Sequence, residues 1–349
     1  MDTFRESAAV LVARLMRDGA RHADDTPFRG PRWLAGAHAQ TIYPYFLPRP
    51  DVALRRERVD APDGDFWDFD WLMAPARANA PLVVLFHGLE GGAQSQYARN
   101  LMHHLASRAW RGVIPHFRGC GGEPNRLPRA YHSGDHEEVG AMLARIRAQA
   151  SGEMFAVGIS LGGSALLNWI GRAGESARDT LRAAATASVP LDLMASGIAI
   201  DRGLNRIYTR HFLHTLKPKA LDMAKRFPGK LDAHRVARVR SMWQFDDAVT
   251  APLHGFDGAD DYWTRASSKP WLASVRIPTL VINARNDPFV PAASLPSQHD
   301  VSADVVLEQP AQGGHVGFMT GPGRGRMDWL PLRILRFFDA VQGGPSGQP

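Results

Sequence analysis

From Leu82 onward, short and largely apolar runs alternate with longer stretches of helical period, and this pattern constrains the fold more than any other feature. The runs Leu82 to Phe86, Gly112 to Phe117, Glu153 to Val157, Ala183 to Ser188, Thr279 to Asn283 and Asp304 to Glu308 read as strands. Helical stretches near Gln96 to Ser107, His136 to Ala150 and Leu161 to Ala173 separate the first four. Alternation of this kind signals βαβ units and a parallel sheet buried on both faces. Ahead of it, Arg55 to Asp60 and Phe66 to Leu72 flank the turn signal Pro62-Asp63-Gly64 and predict an antiparallel hairpin. The expected class is α/β, with a mostly parallel, doubly wound sheet and an N-terminal antiparallel hairpin.

The alternation stops between Pro190 and about Lys269, where the chain becomes helical and basic, then rich in Asp and aromatic residues. An insertion of this size between two sheet strands is most simply a helical cap. The expected organisation is an arm over 1–50, a core over 51–189 and 270–349, and a cap over 190–269, with a last helix over Trp329 to Val341 and a polar tail from Gly343. Prolines 27, 31, 44, 48 and 50 interrupt any long element in the arm.

The net charge of +6 does not predict nucleic-acid binding, because the basic residues are scattered rather than gathered on one stripe. Only five of the 41 are lysine. A single cysteine, Cys120, excludes an internal disulfide, and no zinc-type Cys/His spacing occurs. Charges at Asp2, Arg5, Glu6, Arg14 and Arg17 leave no apolar stretch of signal-peptide or membrane-spanning length. A cytoplasmic location is therefore expected. Phe4, Ala8, Leu11, Val12 and Leu15 share one helical face. Packing on the protein's own body is the plainer reading of that face; peripheral membrane contact through it or through the cap is the alternative.

Ser160 stands in Gly158-Ile159-Ser160-Leu161-Gly162-Gly163, after an expected strand and before an expected helix. A sharp strand-to-helix turn projects a serine oxygen where a base can reach it, and flanking glycines permit the close backbone approach that this turn needs. Folds carrying such an elbow present an acid and then a histidine later in the chain. His315, in a glycine-rich loop after the Asp304 to Glu308 run, alone combines that order with a loop after a strand. Asp287, just past the Thr279 to Asn283 run, is the preferred acid, since a carboxylate there can orient the imidazole. An Asp-Pro step is also an ordinary turn former.

A tetrahedral intermediate needs N–H donors for its oxyanion. Leu161 follows the nucleophile and supplies one; Leu89, in His87-Gly88-Leu89-Glu90-Gly91-Gly92, is the candidate for the second. Nucleotide binding is not expected of this loop, because neither Gly-Lys-Ser/Thr nor Gly-x-Gly-x-x-Gly occurs. The run His132-Ser133-Gly134-Asp135-His136-Glu137-Glu138 holds metal-friendly residues, but N-terminal capping of a helix by Ser133 or Asp135 is the plainer reading. Cys120 reads as a buried thiol.

Taken together, His38-Ala39-Gln40-Thr41, Phe86 to Gly91, Phe117-Arg118-Gly119-Cys120, Glu123-Pro124-Asn125-Arg126, Tyr131-His132-Ser133-Gly134, the Ser160 elbow, Phe245-Asp246, Asn286-Asp287-Pro288-Phe289 and Gly314-His315-Val316-Gly317 carry a resemblance covering nearly the whole chain. The chain resembles the α/β-hydrolase superfamily, and within it the YheT-type branch of predicted esterases, related to eukaryotic lipid esterases of this fold. The resemblance implies the α/β-hydrolase fold and hydrolysis of an ester or lipid substrate by Ser160, Asp287 and His315, with no cofactor and no metal. It also implies that the Phe117 to Gly134 region is structural. Acyl transfer or thioester hydrolysis with the same triad, and a catalytically silent lipid-binding fold, are the competing readings. Acyl-chain preference and oligomeric state are not legible.

Overall fold

A computed structural model describes residues 28–343 of the 349-residue chain. The amphipathic N-terminal face from Phe4 to Leu15 and all of the polar tail beyond Gly343 lie outside the described residues. Eight strands form one sheet: β1 (Leu54–Asp60), β2 (Phe66–Leu72), β3 (Leu82–Phe86), β4 (Arg111–Pro115), β5 (Met154–Ile159), β6 (Ala183–Ala187), β7 (Thr279–Ile282) and β8 (Val305–Glu308). Their order is β1-β2-β4-β3-β5-β6-β7-β8. β2 is antiparallel to both β1 and β4, and every other pairing is parallel. At the hairpin, Gly64 takes a φ of +89° and its N–H donates to Ala61 O at 3.1 Å, the tight turn that Pro62-Asp63-Gly64 predicts.

Alternate residues of the central strands feed two cores. Leu82, Val84 and Phe86 face one side with residues of α3 (His136–Arg147) and α4 (Leu161–Ala173). Val83 and Leu85 face the other with residues of α2 (Gln96–Ser107) and α11 (Trp329–Gln342). Burial on both sides is why these strands are continuously apolar rather than alternating. The strand order reverses around β3, with β4 on one side and β5 on the other, so the carboxyl ends of β3 and β5 open onto a switch point where α/β sheets hold ligands.

Two boundaries differ from the sequence expectation. β4 ends at Pro115 rather than Phe117, because proline lacks a ladder N–H and the chain then turns, with Phe117 N–H donating to His87 Nε2 at 3.2 Å. α3 stops at Arg147 rather than Ala150, where Gln149 and Ala150 N–H donate three residues back and tighten the last turn.

Between β6 and β7 the chain runs through α5 (Leu193–Ile200), α6 (Arg206–Arg226), α7 (Ala233–Arg238), α8 (Met242–Phe245), α9 (Ala251–His254) and α10 (Ala259–Ala266). A π turn, Asp246–Thr250, joins α8 to α9. This insertion has an apolar cluster of its own, from Leu213 through Phe245 to Val249. Preceding the sheet, α1 (Ala37–Ile42) belongs to the arm. No helix among the described residues is long and apolar enough to cross a membrane.

A buried ion network ties the hairpin to the segment after β4. Arg118 donates to Glu138 through Nε at 2.7 Å and Nη2 at 2.9 Å, and to Asp65 at 3.0 Å. Asp65 also accepts from Asn125 Nδ2 and from the backbone N–H of Arg126 and Leu127. Burial works against the guanidinium charge, but Glu138 and Asp63 overcome it and hold Arg118 above its ordinary pKa. The structural role that the resemblance implied for this region has this physical basis. Replacing Arg118 by Met removes the guanidinium shared by two buried carboxylates and should cost about 3–5 kcal/mol in urea unfolding. Unchanged stability would contradict the network's importance.

Candidate active site

Ser160 sits at the junction of β5 and α4 with φ +52° and ψ −120°, a backbone conformation costing about 1–3 kcal/mol for a residue with a side chain. It is held from both sides. Its N–H donates to Ala187 O at 2.9 Å, extending the sheet, and its carbonyl accepts from Ser164 N–H at 3.1 Å, starting the helix. The glycines around it are needed for space. A Cβ on Gly158 would stand 2.5 Å from Gly163 Cα, and one on Gly162 would stand 2.4 Å from His87 O. α4 thus packs backbone against backbone onto the ends of β5 and β3.

His315 and Asp287 come to Ser160 from loops after β8 and β7. Ser160 Oγ lies 3.0 Å from His315 Nε2, and His315 Nδ1 lies 2.8 Å from Asp287 Oδ2. A carboxylate only accepts, so Nδ1 carries the proton and Nε2 is free to accept from the serine hydroxyl. Asp287 is buried, and its second oxygen accepts from Phe289 N–H at 2.8 Å. The Phe289 ring covers the imidazole, with centroids 4.2 Å apart.

What positions the histidine loop was not assigned from the sequence. Thr41 Oγ1 accepts from His315 N–H at 2.9 Å, and Gln40 Oε1 accepts from Gly313 N–H at 3.0 Å and from Asn286 Nδ2 at 2.9 Å. Asn286 Oδ1 in turn accepts from Gly314 N–H. The loop lies so tightly on α1 that a Cβ on Gly317 would meet Gln40 O at 2.1 Å. The signal was the His38-Ala39-Gln40-Thr41 match, which sequence reasoning noted without a role. Ser188, just past β6, holds the next N–H, that of Val316, at 2.9 Å.

Leu161 N–H opens α4, where the first helical donors have no intrahelical partner. Leu89 lies in the loop after β3, which folds tightly against the elbow: a Cβ on Gly88 would stand 3.2 Å from Ser160 Cβ. Gly88 N–H donates to Tyr97 Oη at 2.9 Å, Glu90 N–H to Tyr131 Oη at 2.8 Å and Gly91 N–H to Gly88 O at 2.9 Å. Among the described residues, neither the Leu89 nor the Leu161 N–H donates to another protein group. His87 accepts from Phe117 N–H through Nε2 and so donates through Nδ1 to Gly88 O at 2.8 Å.

Two neighbouring readings change in detail. Asp135 holds the N-cap position of α3, but its side chain does not cap; Oδ1 accepts instead from Arg129 Nη2 at 2.7 Å, a charge-assisted bond stronger than one to a backbone N–H. Cys120 is half-buried rather than buried, packed at the edge of the main core, although desolvation pushes its thiol up to about 12.

A cavity of about 450 Å³ extends from Ser160, Leu161 and His315 into the helical insertion. Its walls are mainly apolar and include Leu89, Phe212, Leu216, Met242, Phe245 and Phe289. Asp246 also lines it. Burial raises that carboxyl to about 6, and its oxygens accept from Thr250 Oγ1 and Trp263 Nε1, each at 2.7 Å.

Known proteins give the context for this geometry. A family model described as alpha/beta hydrolase fold matches residues 81–322. The chain is 36% identical over 317 residues to the YheT protein of Escherichia coli (strain K12), covering 89% of this chain and 92% of that protein. It is 31% identical to phospholipase ABHD3 of Mus musculus, covering 88% of this chain and 77% of the relative. The solved structure of the Pyrococcus furiosus esterase Pf2001 superposes with a TM-score of 0.51 at 15% identity, covering 82% of this chain and 92% of that one, a likeness of fold.

Gln40→Leu removes the acceptor of the buried Gly313 N–H and of the half-buried Asn286 amide and should destabilise the protein by about 1–3 kcal/mol in urea unfolding; unaltered stability would show the arm contact to be dispensable. A second expectation concerns pH. Burial pushes His87, His132 and His254 down to about 3. Between the ordinary value near 6.5 and about 3, the unfolded chain binds protons that the folded chain refuses, so stability falls as pH falls through that window. Asp246, raised to about 6, acts in the opposite direction, as do Asp135 and Asp304, also raised by burial, but these carboxyls take up protons only after the unfolded histidines have begun to charge. The urea midpoint should drop steadily from pH 6.5 to pH 4.5, and a flat profile would refute this.

Proposed function

The chain belongs to the α/β-hydrolase family, in its YheT-type branch, and from that premise we propose that it hydrolyses carboxylic esters through an acyl-enzyme on Ser160. The observation that carries this reading is the hydrogen-bonded row of Ser160 Oγ, His315 Nε2 at 3.0 Å, and Asp287 beyond His315 Nδ1 at 2.8 Å. His315 takes the Ser160 proton as Oγ attacks the ester carbonyl. Negative charge then develops on the carbonyl oxygen, where the N–H groups of Leu89 and Leu161 receive it. Collapse of the intermediate expels the alcohol, which leaves with the proton from His315. Water, deprotonated by the same imidazole, attacks the acyl-enzyme and releases the acid. Asp287 holds the productive tautomer throughout and stabilises the imidazolium that forms twice in the cycle.

The apolar cavity above Ser160 supports an ester whose acyl portion is hydrophobic, since such walls reward apolar surface and offer few partners to polar groups. The names of two relatives, a phospholipase and a monoacylglycerol lipase, are consistent with lipid esters as the class.

Ser160→Ala in folded protein should lower hydrolysis of nitrophenyl esters by at least about 10³-fold, the scale on which removal of a triad member acts. A fluorophosphonate should label the native wild type and not the variant. Full turnover by Ser160→Ala would overturn the acyl-enzyme.

A further inference from the structure

The loop carrying Leu89 is gripped by the helical insertion as well as by the sheet. The Leu89 side chain packs against the main core on one side and against the insertion's own cluster on the other. Its neighbour Glu90 has a φ of +54°, a conformation a glutamate does not adopt without help from its surroundings. That help comes from two directions. On the core side, Tyr131 Oη accepts from Glu90 N–H at 2.8 Å and donates to Glu90 Oε1 at 3.0 Å. The Tyr131 ring is itself fixed by stacking on Phe117, with centroids 5.3 Å apart and planes within 7°. On the insertion side, Lys219 of α6 meets both carboxylate oxygens, Oε1 at 2.9 Å and Oε2 at 2.8 Å. The Glu90 side chain is only 8% exposed, whereas Lys219 is 46% exposed. The carboxylate is therefore largely withdrawn from water, and Lys219 is the cation that compensates it.

We propose that Lys219 is a positioning residue for the oxyanion hole: by holding Glu90 it fixes the strained turn that aims Leu89 N–H at the oxygen developing beside Ser160. This rests on the acyl-enzyme reading above, and it makes the seating of the insertion on the sheet a condition for fast chemistry. An insertion that lifts away takes Lys219 with it, deprives Glu90 of its cation, and relaxes the turn. Lys219 and Glu90 also line the cavity, but their charges are paired with each other, so an apolar acyl group gains little from either and ground-state binding changes little. The effect therefore falls on kcat.

The test compares wild type with Lys219→Met, Lys219→Arg and Glu90→Gln in nitrophenyl ester hydrolysis, with rates expressed per site titrated by a fluorophosphonate, so that loss of folded protein does not count. Lys219→Met and Glu90→Gln should each lower kcat about 10-fold, less than outright removal of an oxyanion donor, with KM within about twofold. Arg at 219 should recover most of the rate, and combining the Met and Gln changes should cost little beyond either alone, because both act through one contact. Titratable wild type with an unchanged kcat in Lys219→Met, or a loss confined to KM, would overturn the positioning role while leaving the nucleophile intact. A native wild type that fluorophosphonate does not label would overturn the acyl-enzyme reading and this one with it.

Discussion

The approach of α4 to the ends of β3 and β5 is the contact on which the rest of the site is built. Three glycines, Gly158, Gly162 and Gly163, remove every side chain from that contact, so carbonyl and Cα atoms meet directly. The turn between strand and helix is left too short for a relaxed backbone at Ser160, and its positive φ is imposed by hydrogen bonds to β6 on one side and to the first turn of α4 on the other. The same compression brings the loop after β3 against Ser160. Ser160 and the Leu89 loop are therefore located by backbone geometry, which is stiffer than any side-chain rotamer.

The remaining parts arrive from distant stretches of chain, and each is fastened by polar contacts. The histidine loop rests on α1, over 270 residues earlier in sequence, through Gln40 and Thr41. The Leu89 loop is held by Tyr97, Tyr131 and Lys219, drawn from two core segments and the insertion. Burial keeps His87 neutral beneath the Leu89 loop, with both ring nitrogens committed to backbone partners. The Arg118 network performs the same service for the segment behind the site, where opposite charges compensate one another in place of water.

The central strands were legible because burial on both faces demands unbroken apolar runs, a property carried by five consecutive residues such as Leu82 to Phe86. Their ends were less so. Pro115 closes β4 for want of an N–H, and the sequence pattern runs on through Phe117 because apolar residues are equally suited to the turn that follows. Ser160, Asp287 and His315 could be singled out because the chemistry demands particular residue types at strand ends in a fixed chain order. Leu161 follows from Ser160 by adjacency; Leu89 depends on where a loop folds, and only its glycines hinted at it. Gln40 and Thr41 gave no chemical signal: an amide and a hydroxyl in an arm resemble any exposed polar residue until something is packed on them. Asp135 illustrates the converse, since its sequence context suits a cap while its actual partner, Arg129, is chosen by proximity in space.

The sequence by itself determined the sheet, the elbow and the residue types that meet in the Ser160, His315, Asp287 row, because periodicity, glycine spacing and residue chemistry are local properties that survive without a partner. Only the tertiary structure decided which polar side chains hold those groups in register. Hydrogen bonds from the His315 N–H to Thr41 and from Lys219 to Glu90 join residues whose separation along the chain carries no information about their contact. Whether such a group is a solvated surface residue or a buried partner depends on desolvation, which is a property of the packed molecule.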